Sequence, residues 1–228
     1  MKRALVLCVL LAALGWAGAS AADDLPLVLA EDFSTGEVGG LPAGWILATR
    51  GSTPDIPVLS DEVARSGDMA LRLGREPENA HISNAVVISF APLTERAVIT
   101  FWFYAMDHDR SLVMGFAGRA QGTNLFGSST GGFVVLRNRA VQAYDTAFHD
   151  AGSYEPGRWH KVTIDVDIQS GTYDVYVDDA RRAGNAVPVH FRNPGVTDIA
   201  AVGFGFQAAS AAQGLQPVYI DDLEVRGR

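Results

Sequence analysis

Apolar and polar positions along this chain alternate in short runs that are broken by Gly, Pro, Asn and Asp. In 160–168, Val162, Ile164, Val166 and Ile168 fall on one side, with Lys161, Thr163, Asp165 and Asp167 on the other. In 201–207, Val202, Phe204 and Phe206 alternate with Gly203, Gly205 and Gln207. A period of two with one apolar side predicts antiparallel strands that rest one face on a core. The pattern places strands near 27–33, 56–60, 69–73, 84–90, 97–106, 111–118, 132–137, 140–145, 159–168, 172–178, 199–207 and 217–226. Gln169-Ser170-Gly171 is short and contains glycine, which suits a hairpin turn. No window from Asp23 onward keeps a helical period over three turns, and Ala208 to Gln213 is too short to count. Many short strands at this spacing predict an all-β fold of the sandwich or barrel kind.

The first 22 residues do not belong to that pattern. Met1-Lys2-Arg3, an apolar run from Ala4 to Ala17, and Ala19-Ser20-Ala21 read as a signal peptide with its basic, apolar and cleavage regions. The apolar run, at roughly 14 residues, is short of the ~20 that span a bilayer. The expected organisation is a signal peptide over 1–22 and one β-sandwich domain over 23–228, secreted or periplasmic. Cys8 is the only cysteine and falls within the leader, so disulfides and cysteine-based zinc sites are excluded from the domain. The formal charge of -8 argues against nucleic acid and anionic membranes as partners.

Three stretches resemble a known superfamily. Glu31-Asp32-Phe33 with Gly40-Leu41-Pro42-Ala43-Gly44-Trp45 resembles the opening of exported bacterial jelly rolls. Gly157-Arg158-Trp159-His160-Lys161-Val162 followed by Tyr176-Val177-Asp178-Asp179 resembles the laminin-G-like hairpin of concanavalin A-like lectins and glucanases, with Asp179 where glycine is usual. Val218-Tyr219-Ile220-Asp221-Asp222-Leu223-Glu224-Val225 resembles the last strand of such domains. The resemblance implies a two-sheet antiparallel jelly-roll sandwich, with a galactose-binding-type jelly roll as the competing architecture. The superfamily holds lectins, glycosidases, lyases and structural domains, so fold alone does not assign function.

The resemblance also implies that the first and last strands pair, bringing Glu31 and Asp32 near Asp221 and Asp222. Similar modules hold a structural calcium there, because calcium takes several hard oxygen ligands. For ligand binding, Phe101-Trp102-Phe103-Tyr104 alternates so that Trp102 and Tyr104 leave the core and line a concave sheet on which a sugar stacks. Arg137 and Tyr144 join them as ligand-binding candidates, with His108, Asn138 and Gln142 as further polar groups. Trp45 and Trp159 read as structural: the first plugs one end of the sandwich, the second covers a strand edge. No Glu-x-Asp-x-x-Glu run, metal-spaced histidines or nucleophile elbow occurs, so no catalytic residue is nominated. The leading expectation is a secreted carbohydrate-binding, lectin-like domain for a poly- or oligosaccharide. The alternatives are a hydrolase or lyase of the same fold, or a cell-surface structural domain without a glycan ligand.

Overall fold

The computed structural model describes residues 24–49, 57–74, 84–106, 112–118, 130–137, 139–181, 188–206 and 217–228. The expected leader, His108, Asn138 and all of 121–129 lie outside them. In chain order the strands are β1 (Leu27–Glu31), β2 (Ile46–Thr49), β3 (Val58–Ser60), β4 (Ala70–Leu73), β5 (Asn84–Leu93), β6 (Arg96–Ala105), β7 (Leu112–Ala117) and β8 (Thr130–Arg137). They continue with β9 (Ala140–Tyr144), β10 (Phe148–Ser153), β11 (Trp159–Asp167), β12 (Thr172–Val177), β13 (Ala180–Arg181), β14 (Val189–His190), β15 (Ile199–Phe206) and β16 (Val218–Gly227). The fold is all-β. Every strand run expected from the alternation is present; β2, β10, β13 and β14 are additional.

All pairings are antiparallel and form two sheets. The nine-stranded sheet runs β13-β12-β11-β6-β16-β4-β3, with β1 also on β16 and β14 also on β12. The seven-stranded sheet runs β10-β9-β8-β7-β15-β5-β2. Their facing sides share one apolar core, to which β6 contributes Ile99, Phe101 and Phe103, β11 Val162, Ile164 and Val166, and β15 Val202 and Phe204. The alternation read in the sequence therefore marks the inward sides of central strands. Trp45 is buried against Phe33 and Phe204 at one end, with its indole N–H on Glu31 Oε2 at 3.2 Å.

The last strand is central. β16 pairs along one side with β6, and on its other side first with β4 and then with β1. Where the second partner changes, the ladder with β6 shifts register between Asp221 and Glu224, and Asp222 takes a left-handed φ of 46°. Such a bulge leaves backbone groups without a ladder partner. Asp221 is buried here, with 0 % exposure, and its carboxylate accepts the N–H groups of Arg65 (2.7 Å), Ser66 (3.1 Å) and Asp222 (2.8 Å). Burial pushes the Asp221 carboxyl above the usual range, against the lowering effect of those three donors.

At the β12–β13 turn, Asp178 and Asp179 both have positive φ, 49° and 63°. This is the two-residue turn whose twist suits a hairpin, and aspartate is among the few non-glycine residues that tolerate it. Asp178 is held there by Lys161 N–H on Oδ1 (2.9 Å) and His160 Nδ1 on Oδ2 (2.8 Å). The turn thus keeps its shape without the usual glycine.

Replacing Asp221 by alanine removes one acceptor from three N–H groups at the centre of the sheet. Asp221→Ala is expected to lower stability by about 2–4 kcal/mol in urea unfolding. A loss under 1 kcal/mol would show that the bulge is held by something else.

Candidate functional site

The structure sorts the ligand-binding candidates onto opposite faces of the molecule. Trp102 and Tyr104 lie on β6 in the nine-stranded sheet, and Arg137 and Tyr144 lie on β8 and β9 in the seven-stranded sheet. In both sheets these side chains point away from the shared core. One concave sheet does not hold all four, because the loops between strands carry the chain from one layer to the other.

The outer face of the seven-stranded sheet has an ordered cross-strand row. Register places Ile46 opposite Val87, then Gly203, Gly115, Phe133, Tyr144 and Phe148, one residue from each of the seven strands. Two directly opposed glycines leave the middle of the row without side chains. On one side of them the row becomes aromatic: Phe133 and Tyr144 have ring centres 6.2 Å apart, and Tyr144 and Phe148 4.8 Å. The neighbouring row contributes Val113, Val135, Gln142 and Asp150. Val113 and Val135 are only 2 % and 3 % exposed although they lie outside the sandwich core, so this face is sheltered. It opens to solvent at Phe148, which is 42 % exposed. Gln142 donates to Asp150 Oδ1 at 2.7 Å, while its own buried Oε1 has no hydrogen-bond partner among the described residues.

Tyr173 sets this row from below. It is an inward residue of β12, in the opposite sheet, and its ring crosses the core edge-on to Phe116 (5.2 Å). Its hydroxyl lies 2.8 Å from Tyr144 O and 3.2 Å from Phe133 O, and it accepts Tyr144 N–H at 3.0 Å. One phenol oxygen thus ties the backbone at both central aromatic residues. Gly132 makes room for it: a Cβ there would stand 2.7 Å from Tyr173 Cε1 and from Phe116 Cζ.

The outer face of the nine-stranded sheet also carries aromatics, in a different state. Trp159, Tyr104 and Tyr219 stand opposite one another on β11, β6 and β16, with centroid separations of 5.6 and 6.2 Å. Tyr219 is buried and donates its hydroxyl to Glu62; burial first, and then that carboxylate, push its pKa up to about 12. Trp102 is covered by Arg65, whose Cζ lies 3.8 Å from the ring centroid. Arg65 is also ion-paired to Asp222, so this cation–π contact belongs to the clasp over the β16 bulge.

The acidic residues at the two chain ends do meet through β1 and β16, with Glu31 opposite Leu223. Their oxygens are engaged by protein donors. Glu31 accepts Phe33 N–H and the Trp45 indole, Asp32 accepts Ser34 N–H and Oγ, and Asp222 accepts Ser66 Oγ and Arg65. The Ser34 contacts hold the Asp32 carboxyl below its ordinary range. Among the described residues no three His, Cys, Asp or Glu side chains gather as a metal site would require.

Two of the described histidines are also engaged by the fold. Buried His160 bridges Asp178 and the backbone of Glu155, with Nε2 3.0 Å from Glu155 N, and it stacks on Phe103. His149 contacts Asp145, at 3.1 Å. Burial acts to raise the Asp178 carboxyl, but Lys161 N–H, His160 and Arg158 together hold it below the usual range.

No protein-family model matches the sequence, and no curated protein matches it either. The fold is nonetheless shared with solved structures. A sialidase superposes with a TM-score of 0.64 at 15% identity over 88% of this chain, which spans 18% of the sialidase. The cellulose induced protein Cip1 gives 0.61 at 16% identity, covering 88% of this chain and 97% of that one. Lectin II from Ulex europaeus gives 0.53 at 11% identity, covering 87% and 97%. At such identities the likeness is one of fold, a two-sheet jelly-roll sandwich.

Removing the Tyr173 hydroxyl leaves Tyr144 N–H without its phenol acceptor. Tyr173→Phe is expected to cost about 1–3 kcal/mol and to speed amide exchange at Tyr144; unchanged exchange there would contradict the positioning role. Asp178 gives a pH signature. Its folded pKa is depressed, so its contribution is present above the unfolded carboxylate pKa and is lost as pH falls through the folded one. Asp178→Asn is expected to flatten the acid limb of melting temperature against pH, and an unaltered limb would contradict this.

Proposed function

We propose that this protein is a carbohydrate-binding domain, and that its site is the aromatic end of the row on the seven-stranded sheet. The carrying observation is the ladder Phe133–Tyr144–Phe148, which crosses three adjacent strands from a buried ring through the half-buried Tyr144 to the exposed Phe148. Pyranose rings present apolar C–H faces that rest on aromatic rings, and polar groups at the margin fix their orientation. Tyr144, Phe148, Arg137 and Gln142 are the ligand-binding residues. The similar folds of Cip1 and the Ulex lectin support the reading as analogy. The signal-peptide pattern over 1–22 supports this reading, because it suits a domain that meets polysaccharides outside the cytoplasm.

The opposite face favours a second, weaker site. Tyr104 and Trp159 are half-buried neighbours at the end of β6 and β11, and Trp159 joins Tyr104 there as a candidate that the sequence reading assigned to structure. Trp102 is excluded from stacking on the side that Arg65 covers.

A binding screen against a broad polysaccharide panel, with calcium and with a chelator, tests this reading. Tyr144→Ala and Phe148→Ala are each expected to weaken binding by tenfold or more with the fold retained, while Trp159→Ala leaves it unchanged. Loss of binding only in Trp159→Ala would move the site to the other face. Because the terminal carboxylates bond to protein donors, binding and melting are expected to be the same with and without calcium. A drop on chelation would put a cation at the β1–β16 junction.

A further inference from the structure

Where the β5–β6 and β11–β12 turns meet the segment that follows β14, the end of the sandwich holds a cavity of about 310 Å³. Backbone hydrogen bonds tie its walls together. Ile168 N–H donates to Glu95 O at 3.0 Å, which joins the two turns, and Thr94 N–H donates to the terminal Arg228 O at 3.2 Å. Gly171 takes a left-handed φ of 64°, and its C=O accepts Phe191 N–H at 2.7 Å. Further along, Arg192 N–H donates to Gly131 O at 2.7 Å and Val196 N–H to Asn193 O at 3.2 Å. The cavity is thus anchored to the ends of paired strands, and a ligand would not have to order its walls.

Its chemistry follows from which residues the fold buries. Val189 and Phe191 are buried in the core, while His190 between them, opposite Thr172, is exposed. Ile168, Phe191 and Val196 close the floor and are buried, so the surface offered to a ligand is the rim. That rim presents Thr94, Gln169, Ser170, His190 and Thr197, all exposed, with Pro194 as its apolar member. Ser170 Oγ is engaged by Thr172 Oγ1 at 2.7 Å. The side chains of Thr94, Gln169, His190 and Thr197 have no hydrogen-bond partner among the described residues. Each of these four can both donate and accept a hydrogen bond. Charged residues make up 19% of the chain, yet none of the described residues lining the cavity is Asp, Glu, Lys or Arg. A charged ligand would find no counter-charge in the lining.

We propose that this cavity is a separate saccharide site, which takes a neutral sugar of one or two rings. Sugar hydroxyls also donate and accept, so several of them match a rim of such groups held at fixed positions. Pro194 offers the C–H face of the ring an apolar surface beside them. The volume lies at the lower end of the range for small-molecule sites, roughly 300–1,000 Å³, which suits a free mono- or disaccharide or the end of a longer chain. The site goes beyond the aromatic row on the seven-stranded sheet and shares no residue with it, so either can hold without the other.

The test is an amide NMR titration of the protein with glucose, galactose, mannose, N-acetylglucosamine, cellobiose and lactose, with glycerol as the control polyol. At least one sugar is expected to shift the amide signals of 168–171 and 190–197 saturably, and glycerol is expected to leave them in place. Gln169→Ala and His190→Ala are each expected to weaken that binding roughly fivefold to tenfold with melting temperature unchanged. Thr197→Tyr, which fills the cavity, is expected to abolish it, and Phe148→Ala to leave it intact. Shifts confined to 140–150, or shifts at 168–197 that vanish in Phe148→Ala, would overturn the proposal and leave the aromatic row as the glycan site. No shift with any sugar, or equal shifts with glycerol, would overturn it too, while polysaccharide binding by the row is decided by Tyr144→Ala and Phe148→Ala.

Discussion

The arrangement of the proposed site depends on a single phenol oxygen that reaches through the core. Tyr173 starts in one sheet, and its hydroxyl ends among the backbone groups of Phe133 and Tyr144 in the other. A polar atom buried at that depth has to be hydrogen-bonded, and the geometry that satisfies it also fixes the two central rings of the aromatic row. The adjacent glycine at 132 and the ring of Phe116 shape the passage the side chain uses. The outer surface of the seven-stranded sheet is therefore not independent of the nine-stranded one. Its two central aromatic positions are tied to the layer behind it.

A second constraint acts on the nine-stranded sheet. Its central strand is the last in the chain, so β6, β4 and β1 have no common partner until β16 arrives. Long-range pairings of this kind make folding slow, because loop closure comes before the contacts that offset it. The Asp221 carboxylate and the Arg65–Trp102–Asp222 clasp sit where β16 changes neighbours, and they secure the bulge that lets it serve both. Aromatic and acidic residues that resemble a ligand site in sequence are occupied here by the fold itself.

Much of this architecture was legible in the residues. Period-two alternation in 160–168 and 201–207 marks real inward faces, because central antiparallel strands bury one side and the rule has no competitor there. β10 was not legible: Phe-His-Asp-Ala-Gly-Ser is polar, kinked in register against β9, and at a sheet edge where one-sided burial is weak. Phe148, the most exposed ring of the row, lies on this strand and so carries no local signal. Trp102 and Tyr104 were rightly placed outside the core, since Phe101 and Phe103 fill it. Which sheet they shared with Arg137 and Tyr144 depended on chain crossings that no local pattern records. Tyr173 reads only as one more apolar position beside Val175 and Val177, because the partners of its hydroxyl are 29 and 40 residues away.

Glycan is proposed to meet the seven-stranded sheet at β8–β10. Hydrogen–deuterium exchange of the protein with and without a saturating polysaccharide ligand tests it directly. Slowed exchange confined to 133–137 and 140–150 is the predicted footprint. Slowed exchange at 100–104 and 159–163, with 140–150 unaffected, would contradict it and place the ligand on the opposite face.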